Sequence, residues 1–152
     1  MKEFEKEIIE WHRSSELSRK LEAIPGIGPL AASALVASIA DAHSFDNGRQ
    51  VSAWLGLVPR QSSSGGRPTL LGMSKRGDAY LRTLLIHGAR SAILAAKNKV
   101  DNTQGWLTNL LKRRHPNIAA VALANKNART VWALLAHGRE FRADYTPTRM
   151  AA

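Results

Sequence analysis

The sequence predicts an all-α domain. Apolar residues recur at three- and four-residue spacing through most of its 152 residues, the period of a helix with one buried face. Pro and Gly interrupt that period at the points where one helix should end and the next begin. Only residues 58 to 74 lack it. The length suits one compact domain that buries roughly 70% of the surface its unfolded form exposes.

In chain order, Phe4, Ile8, Trp11, Leu17 and Leu21 fit one face of an amphipathic helix over residues 3 to 22, whose opposite face is dense in Glu and Lys. Ile24-Pro25-Gly26-Ile27-Gly28-Pro29 breaks it. From Leu30 to Ala40 an alanine-rich run predicts a buried helix, followed by a tight turn. Residues 47 to 57 read as a third helix with Val51, Trp54, Leu55 and Leu57 inward. Residues 58 to 74 hold Pro59, Gly65, Gly66, Pro68, Gly72 and three consecutive serines, which predicts a long ordered Ser/Gly loop or a short hairpin between helices. A helix from Ser74 to Lys99 carries Leu81, Leu84, Leu85, Ala89, Ala92 and Ile93 on its apolar face. On that helix Lys75, Arg82, Arg90 and Lys97 fall in a stripe about 80° wide at 100° per residue, a basic ridge. A short helix with Trp106, Leu107, Leu110 and Leu111 ends in Lys112-Arg113-Arg114. Pro116 opens the last helix, which closes at Gly138. Residues 1–22 are thus a linker or oligomerisation helix, 23–142 the main domain and 143–152 a frayed tail.

Charge narrows the function. The 22 Lys and Arg outnumber the 12 Asp and Glu, for a net +10, which points to a polyanionic partner. Residues 47 to 100 hold nine basic groups against Asp78 alone, whereas residues 1 to 46 are net acidic. The absence of cysteine excludes a disulfide framework, a thiolate nucleophile and any cysteine-ligated metal. The mixed charges of Met-Lys-Glu-Phe-Glu-Lys-Glu do not match a signal peptide, and no stretch is long and apolar enough to span a bilayer. The chain reads as soluble, cytoplasmic and free of membrane partners.

Two motifs carry chemistry. Leu21-x-x-Ile24-x-Gly26-Ile27-Gly28-x-x-x-Ala32 resembles a helix-hairpin-helix, in which Gly26 and Gly28 let the backbone approach a phosphate and the next helix presents amides to it. A plain Pro-Gly turn between helices is the bland alternative. Pro59-Arg60-Gln61-Ser62-Ser63-Ser64-Gly65-Gly66-Arg67, followed by Gly72-Met73-Ser74-Lys75-Arg76-Gly77-Asp78, sets serine hydroxyls among guanidinium groups. A serine there can attack phosphorus while cations neutralise the phosphoryl oxygens. It needs a base or metal, no neighbour in sequence is an obvious one, and Ser-Gly runs are commonly linkers. The histidines, His12, His43, His87, His115 and His137, lack metal-site pairing and read as surface or capping residues. Carboxylates beyond the first helix are too scattered for a nuclease-type metal cluster. Trp54, Trp106 and Trp132 lie on apolar faces and read as core, with base stacking by one of them as the alternative.

The ordered series Ile24-Pro25-Gly26-Ile27-Gly28-Pro29, Phe45-x-Asn47-x-Arg49-Gln50-x-x-Ala53-Trp54-Leu55-Gly56-Leu57-Val58-Pro59-Arg60, Ser63-Ser64-Gly65-Gly66, Ser74-Lys75-Arg76-Gly77-Asp78-x-Tyr80-Leu81-Arg82 and Ala124-Asn125-Lys126-Asn127-Ala128-Arg129 resembles the C-terminal transposase domain of the insertion-sequence 110 family, with its 116 and 902 types. The likeness covers roughly residues 20 to 140.

The resemblance implies a domain that works beside an N-terminal RuvC-like domain, whose carboxylates hold divalent metal (magnesium). It implies site-specific recombination, guided in some members by a structured RNA, by dimers and tetramers. Carried over by position, the nucleophile is Ser64, with Ser63 as second choice. Arg60, Arg67, Lys75, Arg76 and Arg82 would hold the DNA backbone or stabilise the transition state, alongside Arg90 on the ridge. No RuvC-like domain fits in 152 residues, so the expectation is a chain without a cofactor of its own, binding nucleic acid but not recombining it alone. The alternative is a non-catalytic helix-hairpin-helix binding module, with the serine run a linker.

Overall fold

A computed structural model describes residues 2–64, 66–97 and 105–143, with the main chain alone at residues 60–64 and 67–71. Seven α-helices are described: α1 (Lys2–Ser14), α2 (Glu16–Glu22), α3 (Pro29–Ile39), α4 (Gly48–Trp54), α5 (Ala79–Lys97), α6 (Trp106–Arg113) and α7 (Pro116–His137). The all-α expectation holds, with one exception. Residues 58 to 74 form an antiparallel hairpin of β1 (Pro59–Ser64) and β2 (Arg67–Met73).

α7 is the spine. Ala119, Ala120, Leu123, Ala124, Ala128, Val131 and Leu134 bury its inner face, and α5, α4, α6 and α2 pack on it. Alanines on that face let the neighbouring helices approach closely. Its ends are built as the sequence indicates. Pro116 takes the first helical position, the His115 Nδ1 accepts the Asn117 N–H at 3.1 Å, and Gly138 ends the helix at φ +61°. On the other side of the core, α1 and α2 pack on α3, whose buried Ala31, Ala32, Leu35 and Ile39 form the seam.

Several expectations are corrected. The single helix over residues 3 to 22 is two helices, because the Ser15 hydroxyl caps α2 by accepting the Ser18 N–H at 3.2 Å. Of its expected inward face only Leu21 is fully buried; Phe4 is 71% and Trp11 45% exposed. The third helix stops at Trp54 rather than residue 57, since Gly56 turns the chain at φ +73°. α5 starts at Ala79, not Ser74, because Asp78 caps it: its Oδ1 accepts the Leu81 N–H at 3.0 Å. Lys75 is therefore off the ridge helix. Trp106 is 40% exposed and outside the core, whereas Trp54 and Trp132 pack against it.

His12 is a further correction, being 3% exposed rather than a surface residue. Its Nδ1 lies 2.6 Å from the Ser18 hydroxyl and its Nε2 2.7 Å from a Glu22 carboxylate oxygen, tying α1 to α2. The tail expected over 143–152 lies, beyond residue 143, outside the described residues.

Candidate nucleic-acid interface

The serine hairpin grows from a root where main chain touches main chain. Leaving α4, the chain turns at Gly56. Beyond the last strand pair it is held by two further bonds: the Ser74 N–H donates to the Val58 carbonyl at 2.8 Å, and the Lys75 N–H to the Gly56 carbonyl at 3.0 Å. A side chain at Gly56 would collide with the main chain of Arg76, and one at Gly77 (φ +101°) with the Trp54 carbonyl. The register pairs Ser63 with Pro68 and Ser64 with Arg67, which leaves a two-residue connection at the far end. An irregularity between Pro59 and Gln61 bends the ladder near its root. Ser62, Ser63 and Ser64 thus lie in a hairpin strand.

Three of the expected cationic residues meet at that root. Lys75 is exposed and sits at φ +57°, a left-handed conformation uncommon for a residue with a side chain and often found at functional sites. Arg76, also exposed, lies with its main chain against Gly56. Arg82, half-buried on the first turns of α5, donates from Nη1 to the Leu55 carbonyl at 3.2 Å, so it also satisfies the end of α4. Arg90 is exposed two turns further along α5. None of the four forms an ion pair among the described residues. Ser63, Ser64 and Arg67 are placed by strand register alone, and Arg60 lies within β1 at the irregularity between Pro59 and Gln61.

The glycine turn between α2 and α3 abuts the same helix. Gly26 (φ +98°) lies on the main chain of Gly88 in α5, where an added Cβ would come 2.9 Å from the Gly88 carbonyl oxygen. The Pro25 carbonyl accepts from Asn127 Nδ2 at 3.0 Å, which pins the turn to α7. Packing alone therefore accounts for Gly26. Gly28 differs: it starts α3 with no side-chain cap, and nothing lies within 4 Å of where its Cβ would be. The structure thus brings the turn against α5 two residues before Arg90.

Sequence reasoning missed Gly88 and Asn127. A glycine inside the apolar period of a long helix was the available signal for the first; a buried Asn on an alanine-rich face has none as clear. No group of three or more His, Asp or Glu among the described residues is arranged to hold a metal ion. Among the described residues no helix is long and apolar enough to cross a membrane.

In sequence the chain is similar to bacterial transposases. The chain is 54% identical over 138 residues to a "Probable family 20 transposase" of Pseudomonas aeruginosa, covering 91% of this chain and 41% of the relative. It is 49% identical over 140 residues to the transposase for insertion sequence element IS1111A of Coxiella burnetii, covering 92% and 38%. To the transposase for IS1328 of Yersinia enterocolitica it is 39% identical over 141 residues, covering 93% and 42%. It spans about two fifths of the length of these relatives. The profile of the Transposase IS116/IS110/IS902 family matches residues 18–104, and the chain belongs to that family.

Proposed function

We propose that this chain is the DNA-binding, serine-bearing C-terminal domain of an insertion-sequence transposase acting in site-specific recombination. The observation that carries the reading is the hairpin: its register sets Ser64 opposite Arg67 beside the two-residue connection, and its root gathers Lys75, Arg76 and Arg82. Ser64, or in second place Ser63, is the nucleophile. Its Oγ forms a bond to a DNA phosphorus as the scissile P–O bond breaks; the serine proton leaves, and the released sugar oxygen gains one. Reversal onto a second strand end restores the hydroxyl, so the exchange conserves the number of phosphodiester bonds.

Arg60, Arg67, Lys75 and Arg76 hold the phosphate backbone and oppose charge gathering on the phosphoryl oxygens. Arg90, with Gly26 and Gly28 on the neighbouring turn, contacts DNA further along; the open position at Gly28 and the uncapped start of α3 support that role. Divalent metal belongs to the remainder of the full-length enzyme, so this chain alone binds DNA without recombining it. Further partners are a structured guide RNA and other copies of the chain, in the bacterial cytoplasm at the nucleoid. The exposed Phe4 and Trp11 on α1 favour the self-association.

Ser64→Ala in the full-length enzyme tests the assignment. It should abolish strand exchange and leave DNA binding intact. Recombination at the normal rate by that variant would reject Ser64 as nucleophile.

A further inference from the structure

Away from the hairpin, the place where α4, α6 and α7 meet gathers a second set of cations. Lys126 and Arg129 lie one turn apart on α7, both exposed and neither in an ion pair among the described residues. Gly48, the first residue of α4, rests on Arg129: a Cβ there would come 3.0 Å from both the Cα and Cβ of Arg129. That approach brings the next residue, the exposed Arg49, to the same crossing. Asp46, two residues before Gly48, forms no ion pair with them among the described residues; its carboxylate accepts from Gln50 Nε2 at 3.1 Å.

Lys126 is also held in place. Its ammonium lies 4.5 Å from the centroid of the Trp106 ring at the start of α6. This cation lies over one face of the ring, which makes Trp106 a seat for the lysine. Partial burial, and then the charge of Arg129, lower the Lys126 pKa below its ordinary 10.5. The fold therefore keeps two like charges together with no carboxylate between them, a repulsion that a bound anion relieves. Nothing in the packing of α7 demands this, since its buried face is apolar apart from Asn127.

We propose that Lys126, Arg129 and Arg49 form a second contact for the phosphate backbone of duplex DNA, separate from the serine hairpin, with Trp106 orienting Lys126. The inference rests on the DNA-binding reading above and extends it to another face. Phosphate is favoured over an acidic peptide because the exposed groups are cations spaced along helix surfaces, the contact that a repeating phosphate backbone makes.

The test is fluorescence anisotropy of the whole chain with a labelled duplex over a salt series. Each lost phosphate contact makes the slope of log K against log salt shallower by about 0.9. Arg129→Gln should therefore flatten it by about 0.9, and Lys126→Gln with Arg129→Gln by about 1.8. Lys126→Arg with Arg129→Lys should retain the wild-type slope, and circular dichroism checks that each variant is folded. Folded neutral variants with the wild-type slope would overturn the second site while leaving DNA binding standing. A wild-type chain that shows no salt-dependent binding would overturn the DNA-binding reading, and this site with it.

Discussion

Gly88→Ala sets two known effects against each other at one atom. Alanine is the better helix former by about 1 kcal/mol, so in the middle of α5 the exchange should stabilise on propensity alone. The new methyl, however, falls on the Gly26 carbonyl, 2.9 Å from its carbon and closer still to its oxygen. Overpacking costs about 1–3 kcal/mol, and the upper end applies where the obstacle cannot move. Here it is a main chain fixed on both sides, by the Asn127 bond to Pro25 and by the burial of Ile24 and Ile27. The net expectation is a loss of about 2 kcal/mol, or roughly 4–8 °C in melting temperature for a chain of this size. Thermal melts followed by circular dichroism measure it, with Gly28→Ala as the control, because nothing lies within 4 Å of that position. A Gly88→Ala protein as stable as wild type, or a control that loses as much, would refute the claim that the turn and α5 meet backbone to backbone.

Other expectations follow from buried and crowded polar groups. His12→Ala leaves the fully buried Ser18 hydroxyl without its partner, at a cost of about 1–3 kcal/mol before any cavity is counted. Amide exchange in α1 should accelerate more than in α7; unchanged protection of α1 would show that His12 does not hold it. For Lys126, a folded-state pKa below the unfolded 10.5 means that the unfolded chain binds the proton more tightly, so stability should rise with pH between those two values. A site-specific NMR titration should find its ammonium deprotonating below the ordinary lysine value, and later in Arg129→Gln. Titration at the ordinary lysine value, unchanged in Arg129→Gln, would contradict the crowding.

Much of the fold was legible because its signals are local. Pro116 and Gly138 bound α7 as a first-turn proline and a left-handed cap should, and the alanine run placed α3 within one residue at each end. Where reading failed, a short-range bond outranked the apolar period. Ser15 fits the helical spacing of its neighbours, yet its hydroxyl starts a new helix, and Asp78 delays α5 in the same way and takes Lys75 off the ridge. Other misses were tertiary. That His12 is buried depends on Ser18 and Glu22 arriving from α2, and that Gly26 and Gly88 require each other is invisible to any window shorter than 60 residues. Of the site, the serines and basic residues were legible as a cluster in sequence. Their common anchorage at Gly56 and Gly77 was not, because it depends on two turns meeting across the base of the hairpin.

That anchorage has a mechanical consequence. An arm rooted by main-chain contact has its direction set at the base, so its reach becomes a matter of counting residues. Each residue added to both strands advances the far end by about 3.4 Å and turns the pleat over; a second restores the original face about 6.8 Å further out. The arm's reach can thus change in paired steps of two without altering the helices beneath it, whereas a residue added to one strand alone has to be absorbed as a bulge, as the irregularity between Pro59 and Gln61 already does.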